Sequence, residues 1–163
     1  MSAIEAILRF GLEAIETLDP DEAVGATDSI IRHRNFVNYL RLNGASIPAV
    51  TALIMSRVIF SGGQATISLN TAPSLGGGSQ SVQGKRLVYG YFGVPDTNDP
   101  VTVRGQSVNG YWPFGNGVQQ VLQPGWKFGC YFKSTHPVAS DSNNQILFVG
   151  TTGQTLDVAL LFG

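Results

Sequence analysis

Charge is what this 163-residue chain has least of: only 13% of its residues are Asp, Glu, Lys or Arg, against about a quarter in an ordinary soluble domain. A surface so poor in ions solubilises itself badly, and it suits burial against neighbours, because interface cores are depleted of charge. Cysteine is nearly missing too. With Cys130 alone, no internal disulfide can form. Only two histidines occur, His33 and His136. There is no His-x-His, no Cys-x-x-Cys and no helical His pair, so the ligand spacings of a metal site are absent. From residue 60 onward there is no glutamate. That leaves Asp96, Asp99, Asp141 and Asp157 as the only acids for paired-carboxylate chemistry, and three of them fall in turn clusters. Asp157 is the exception, pointing away from the apolar face of its strand.

Long apolar runs are absent as well. Nothing approaches the roughly 18 residues of a transmembrane helix. The N-terminus has no basic start, apolar core or cleavage site of a secretory signal, so the expected origin is a cytoplasm. The basic residues are too sparse for a nucleic-acid footprint. Neither "SGGQAT" nor "SLGGGSQS" matches a phosphate-binding loop, and no strand-loop-helix unit surrounds them. No internal repeat of fixed period exists.

What is present divides at about residue 45. Residues 1–28 hold seven acids and one base, Arg9, whereas Arg32, Arg34, Arg41 and Arg57 follow with no acid among them. These arginines are expected to pair with the acids upstream, in the same or a neighbouring subunit. The periodicity predicts a helical arm over residues 1–45, made of two to three short helices. Ile4, Ile7, Leu8, Leu12, Ile15 and Leu18 recur at steps of three and four and form an apolar contact stripe. Ser2 and Glu5 fit a capping box, and Pro20 ends the helix. Asp19-Pro20 starts a second, short helix. A third is expected over residues 29–42, with Ile30, Val37 and Leu40 inward and Asn43-Gly44 as its stop. Residues 47–55 read equally as a helix capped by Ser46 or as the start of a strand ending in "RVIF".

From Gly62-Gly63 the rhythm becomes two. "ATISLN", "KRLVYGYFG", "WKFGCYFK", "QILFV" and "TLDVALLF" are strands, separated by "APSLGGGSQ", "PDTNDP", "GNG", "QPG" and "SDSNN". Trp126, Phe128, Cys130 and Phe132 are expected on one face, and Leu156, Val158, Leu160 and Phe162 on another. Seven to nine strands without intervening helices predict an antiparallel two-sheet sandwich or jelly roll over residues 46–163. The final strand is expected to be central or at an interface, since an apolar edge at a terminus invites aggregation.

Candidate chemistry is thin. Cys130 and a histidine could meet in space, but a cysteine on the apolar face of a strand behaves as a small hydrophobe. Asp96, Asn98 and Asp99, with Asp141 and Asn143, offer oxygen ligands for calcium, but the same residues are ordinary turn formers. No metal and no cofactor is expected. The most distinctive stretch is "SVNGYWPFGNGVQ", where Tyr111, Trp112 and Phe114 stand among glycines. Three roles are open to it: rings buried to close one end of a sandwich, a contact with another subunit, or a stacking platform for a sugar or base.

The segments "LGGGSQSVQG", "VPDTNDPVTVRGQ" and "LDVALLFG" resemble virion proteins of tailed phages, namely capsid decoration proteins, head-fibre bases or small tail components. The resemblance is compositional. It spans residues 60–163 and is weakest over 1–45. It implies a non-enzymatic homo-oligomer, often a trimer, seated with other structural proteins on a capsid or tail lattice. It implies no individual functional residue; from the sparse bases and short apolar runs, no contact with nucleic acid or membrane is expected. The alternative is a lectin-like carbohydrate-binding module with residues 111–114 as its platform.

Overall fold

The computed structural model describes residues 5–17, 30–43, 45, 48–73, 78–132 and 136–163. They form a mainly β protein of antiparallel sheets, and no helix occurs among them. The strands are β1 (Glu5–Thr17), β2 (Ile30–Asn43), β3 (Ala52–Ile59), β4 (Gln64–Ser68), β5 (Ala72–Pro73) and β6 (Ser79–Gln80), followed by β7 (Leu87–Gly93), β8 (Val101–Gly105), β9 (Gln120–Leu122), β10 (Lys127–Tyr131), β11 (Gln145–Val149) and β12 (Thr155–Phe162).

Eight of these strands build a two-sheet sandwich. One sheet has the order β10-β7-β12-β3 and the other β4-β11-β8-β9. The pairing is nested: β3 with β12, β4 with β11, β7 with β10, β8 with β9. A long antiparallel strip folded once on itself and then rolled gives this order. Alternation supplies the core. Ala52, Ile54 and Val58 from β3, and Leu156, Val158, Leu160 and Phe162 from β12, face Val101 and Val103 of β8 and Ile146 and Phe148 of β11 in one buried cluster. Burying each such side chain is worth roughly 1.5–3 kcal/mol. As expected, β12 is central, lying between β7 and β3.

Residues 47–55, open between helix and strand in the sequence, enter β3 from Ala52 onward. Inward Ala52, Ile54 and Val58 repeat at even spacing, and pairing with β12 secures that face. Trp126 departs from expectation. It precedes β10 in a turn, with its N–H donating to the Gln123 carbonyl at 3.1 Å, and it is 48% exposed. The Pro124-Gly125 turn fixes its direction, so the alternation of β10 does not reach it.

Over the described residues 5–17 and 30–43 the expected helical arm is strand. Strands stand where helices are expected over residues 5–17 and 30–42, and β1 pairs antiparallel with β2. The register sets Leu8 opposite Leu40 and Leu12 opposite Phe36. Two physical terms favour this outcome. Gly11 in mid-segment costs a helix about 1 kcal/mol relative to alanine, and Ile30, Ile31, Phe36, Val37 and Tyr39 are strand-preferring types. The short helix expected after Asp19 lies outside the described residues, as do Ile4 and Leu18; Ile7, Leu8, Leu12 and Ile15 lie on β1. Leu42, next to the end of β2, is buried with Val50, Val88, Tyr89 and Leu161 in a second, smaller cluster. That cluster sits on the outer side of the β10-β7-β12-β3 sheet, because Leu161 alternates with the inward Leu160 and Phe162.

Candidate functional site

The stretch from Gln106 to Val118 connects β8 to β9 and is laced to the start of β11. The Asn109 carbonyl accepts from the N–H groups of Asn144 (2.8 Å) and Gln145 (2.9 Å), and Tyr111 N–H donates to the Gln145 carbonyl at 2.7 Å. Asn109 has φ 56°, a left-handed conformation that asparagine tolerates better than most residues.

The three rings of this loop have three different surroundings. Tyr111 is 0% exposed. Its hydroxyl accepts from Leu87 N–H at 3.1 Å and donates to the Pro137 carbonyl at 3.0 Å. Burial pushes its phenol up to about 12. Phe114 packs into the core, 5.7 Å from Phe92 and 5.8 Å from Phe128 between ring centres. Trp112 is half-buried and borders an open cleft. It lies over Gly105, where an added Cβ would stand 2.6 Å from Cδ1, 2.6 Å from Nε1 and 2.7 Å from Cδ2. Near-equal distances to atoms on both sides of the five-membered ring mean that a face, not an edge, rests on the strand. Only glycine leaves room for that approach.

His136 backs the loop from beneath. Its ring stacks on Phe132 at 4.2 Å and meets Tyr111 edge-on at 5.9 Å. Nε2 donates to the Pro113 carbonyl at 2.5 Å, which fixes the tautomer, and Arg86 donates to the His136 carbonyl. Burial lowers the pKa of His136, with the bond to Pro113 acting weakly the other way. The ring nitrogen facing Pro113 is thus occupied in holding the loop. Cys130 is half-buried, and burial pushes its thiol up to about 11. A thiol in that state is a poor nucleophile.

The oxygen-rich turns are each braced by neighbouring segments. Asp99 accepts from Thr151 Oγ1 at 2.6 Å, and Asn98 Nδ2 donates to the Thr155 carbonyl at 2.5 Å. Asp141 accepts from Gln83 at 3.1 Å and Asn70 at 3.3 Å. Among the described residues no group of three His, Cys, Asp or Glu side chains gathers to hold a metal ion.

Asp157 does point away from the Leu156 face, but not alone. Arg57 donates to it through Nε at 2.7 Å and a terminal nitrogen at 3.2 Å, a two-point pair on the outer side of the sheet. Arg57 was expected to pair with the N-terminal acids. The β3–β12 register places Arg57 opposite Asp157 instead, 100 residues away. Sequence spacing carries no signal of such a partner.

No protein-family model matches the chain, and comparison with curated proteins and with solved structures finds no similar relative.

Two of the concavities among the described residues lie beside the features above. On the outer side of the β10-β7-β12-β3 sheet, Met55, Arg57, Tyr91, Asp157 and Ala159 line an open trough of about 510 Å³. At the loop, Trp112 shares a cleft of about 280 Å³ with Gly110, Asn116, Pro137, Ser142 and Asn143. The second wall of this cleft comes from the turn between β10 and β11. Sequence reading passed over that contribution. Its only signal was the "SDSNN" cluster, which reads as a plain turn until β11 carries it beside Trp112.

Proposed function

We propose that the chain is a non-enzymatic structural subunit of a large assembly, a virion capsid or tail component. It joins copies of itself and neighbouring structural proteins through its N-terminal segment and its neutral β surface. On this reading its partners are proteins, not nucleic acid or a membrane, and it needs no cofactor. It is made in the host cytoplasm and resides in the virion.

The outer side of the β10-β7-β12-β3 sheet is the observation that carries this reading. Met55 is 54% and Ile59 65% exposed there, and Tyr131 is exposed on the β10 side. Only Arg57 and Asp157 bring charge to the trough, and they neutralise each other. Leu42 of the same chain covers one end of the same surface, which supports reading the rest as a place for an apolar partner. Exposed apolar side chains around a self-neutralised ion pair suit an interaction surface. The nested strand order adds fold-level support. It is the order of a jelly roll, an architecture used by viral capsid domains and by lectins.

Size-exclusion chromatography with light scattering on the full chain tests the reading. The expected result is a stable oligomer that Met55→Glu dissociates while circular dichroism stays unchanged. A wild-type chain that runs as a monomer at the highest attainable concentration overturns it.

A further inference from the structure

The cleft at Trp112 is a second place where this molecule can hold a partner, separate from the assembly surface. We infer that it is a binding site for a neutral pyranose ring, such as a terminal or internal sugar of a glycan.

Four features carry this. First, the platform is built in advance. The Gly105 backbone closes one face of the indole, and the ring is still partly exposed where it borders the cleft. An aromatic face is negative and attracts polarised C–H groups, which a pyranose presents in a patch. Second, the rim has the right polarity. Asn116, Ser142 and Asn143 provide amides and a hydroxyl that both donate and accept, as sugar hydroxyls do. Third, the walls are rigid. Ser140 and Asn143 exchange backbone hydrogen bonds at 3.0 Å, Asn143 Nδ2 donates to the Val138 carbonyl at 3.2 Å, and Asn144 Nδ2 donates to the Asp141 carbonyl at 2.9 Å. A preformed wall lowers the ordering cost of binding. Fourth, size and charge select the ligand. At about 280 Å³ the cleft lies just below the roughly 300–1,000 Å³ of drug-sized sites, so it takes one or two rings. None of its lining residues is charged. A nucleotide would bring a phosphate with no charged lining residue to neutralise it, whereas a neutral sugar needs no counter-charge.

The residues divide the work. Trp112 stacks on the ring, Asn116 and Asn143 read hydroxyl positions, and Gly105 is a positioning residue that sets the height of the indole.

The test uses the ¹⁵N-labelled full chain titrated with chitotriose, maltotriose, lactose and a deoxythymidine hexanucleotide. The expected result is that at least one sugar, at up to about 10 mM, shifts the indole N–H of Trp112 and leaves that of Trp126 in place. Trp112→Ala should weaken this binding by about tenfold or more, and Asn116→Ala, an exposed change, by a few-fold with an otherwise unchanged spectrum. Three outcomes overturn the inference: no sugar moves the Trp112 signal, the hexanucleotide moves it and the sugars do not, or Asn116→Ala and Trp112→Ala both bind as the wild type does. Each can occur whether the chain is an oligomer or a monomer, so failure here is distinct from failure of the assembly reading.

Discussion

The hydroxyl of Tyr111 bridges Leu87 and Pro137, taking the Leu87 N–H at 3.1 Å and giving its own proton to the Pro137 carbonyl at 3.0 Å. One side chain from the β8–β9 loop thereby ties the start of β7 to the turn before β11. Both backbone groups depend on it, and the ring fills the end of the sandwich beside Phe162 at 6.1 Å.

Tyr111→Phe keeps that ring and removes the bridge. The buried Leu87 N–H is left without this partner, at a cost of about 1–3 kcal/mol, while the Pro137 carbonyl, on an exposed residue, can turn to water. The expected outcome is a lower urea midpoint with an unchanged m-value. An unaltered midpoint would mean that water replaces the hydroxyl.

His136 makes stability depend on acid. Burial holds its folded-state pKa below the ordinary 6.5, so the unfolded chain binds the proton more readily. This contribution is fully present above the ordinary value and is lost as pH falls from there towards the depressed one. Urea midpoints measured from pH 7.5 down to pH 5 should therefore decline. His136→Gln, which titrates nowhere in that range, should flatten the decline even though it lowers stability at every pH. An equal slope in the variant assigns the effect to other groups.

Cys130 should be slow towards thiol reagents. With the thiol pushed up to about 11, alkylation by iodoacetamide at neutral pH is expected to run roughly a hundredfold slower than for a free cysteine. Addition of denaturant should restore the ordinary rate. Fast labelling of the folded chain would show an activated thiolate and reopen a nucleophilic role.

What the sequence determined by itself was the sandwich half of the molecule. Period-two alternation is a local property, and strands such as β8 and β12 carry their own record of which face is buried. Leu156, Val158, Leu160 and Phe162 could be assigned inward without knowing what they meet. The N-terminal half carried two rhythms at once. Leu8 and Leu12 fall on one face in a helix and on one face in a strand, so local spacing could not choose, and pairing between β1 and β2 decided. At the candidate site the limit is the same. The aromatic cluster 111–114 was visible as a cluster, but the division of labour inside it was not. Tyr111 is core because Leu87 and Pro137 reach it, Phe114 packs against the core because Phe92 and Phe128 meet it, and Trp112 borders the cleft because Gly105 gives it a flat bed. Those partners lie on other strands and loops, and only the tertiary fold brings them within reach.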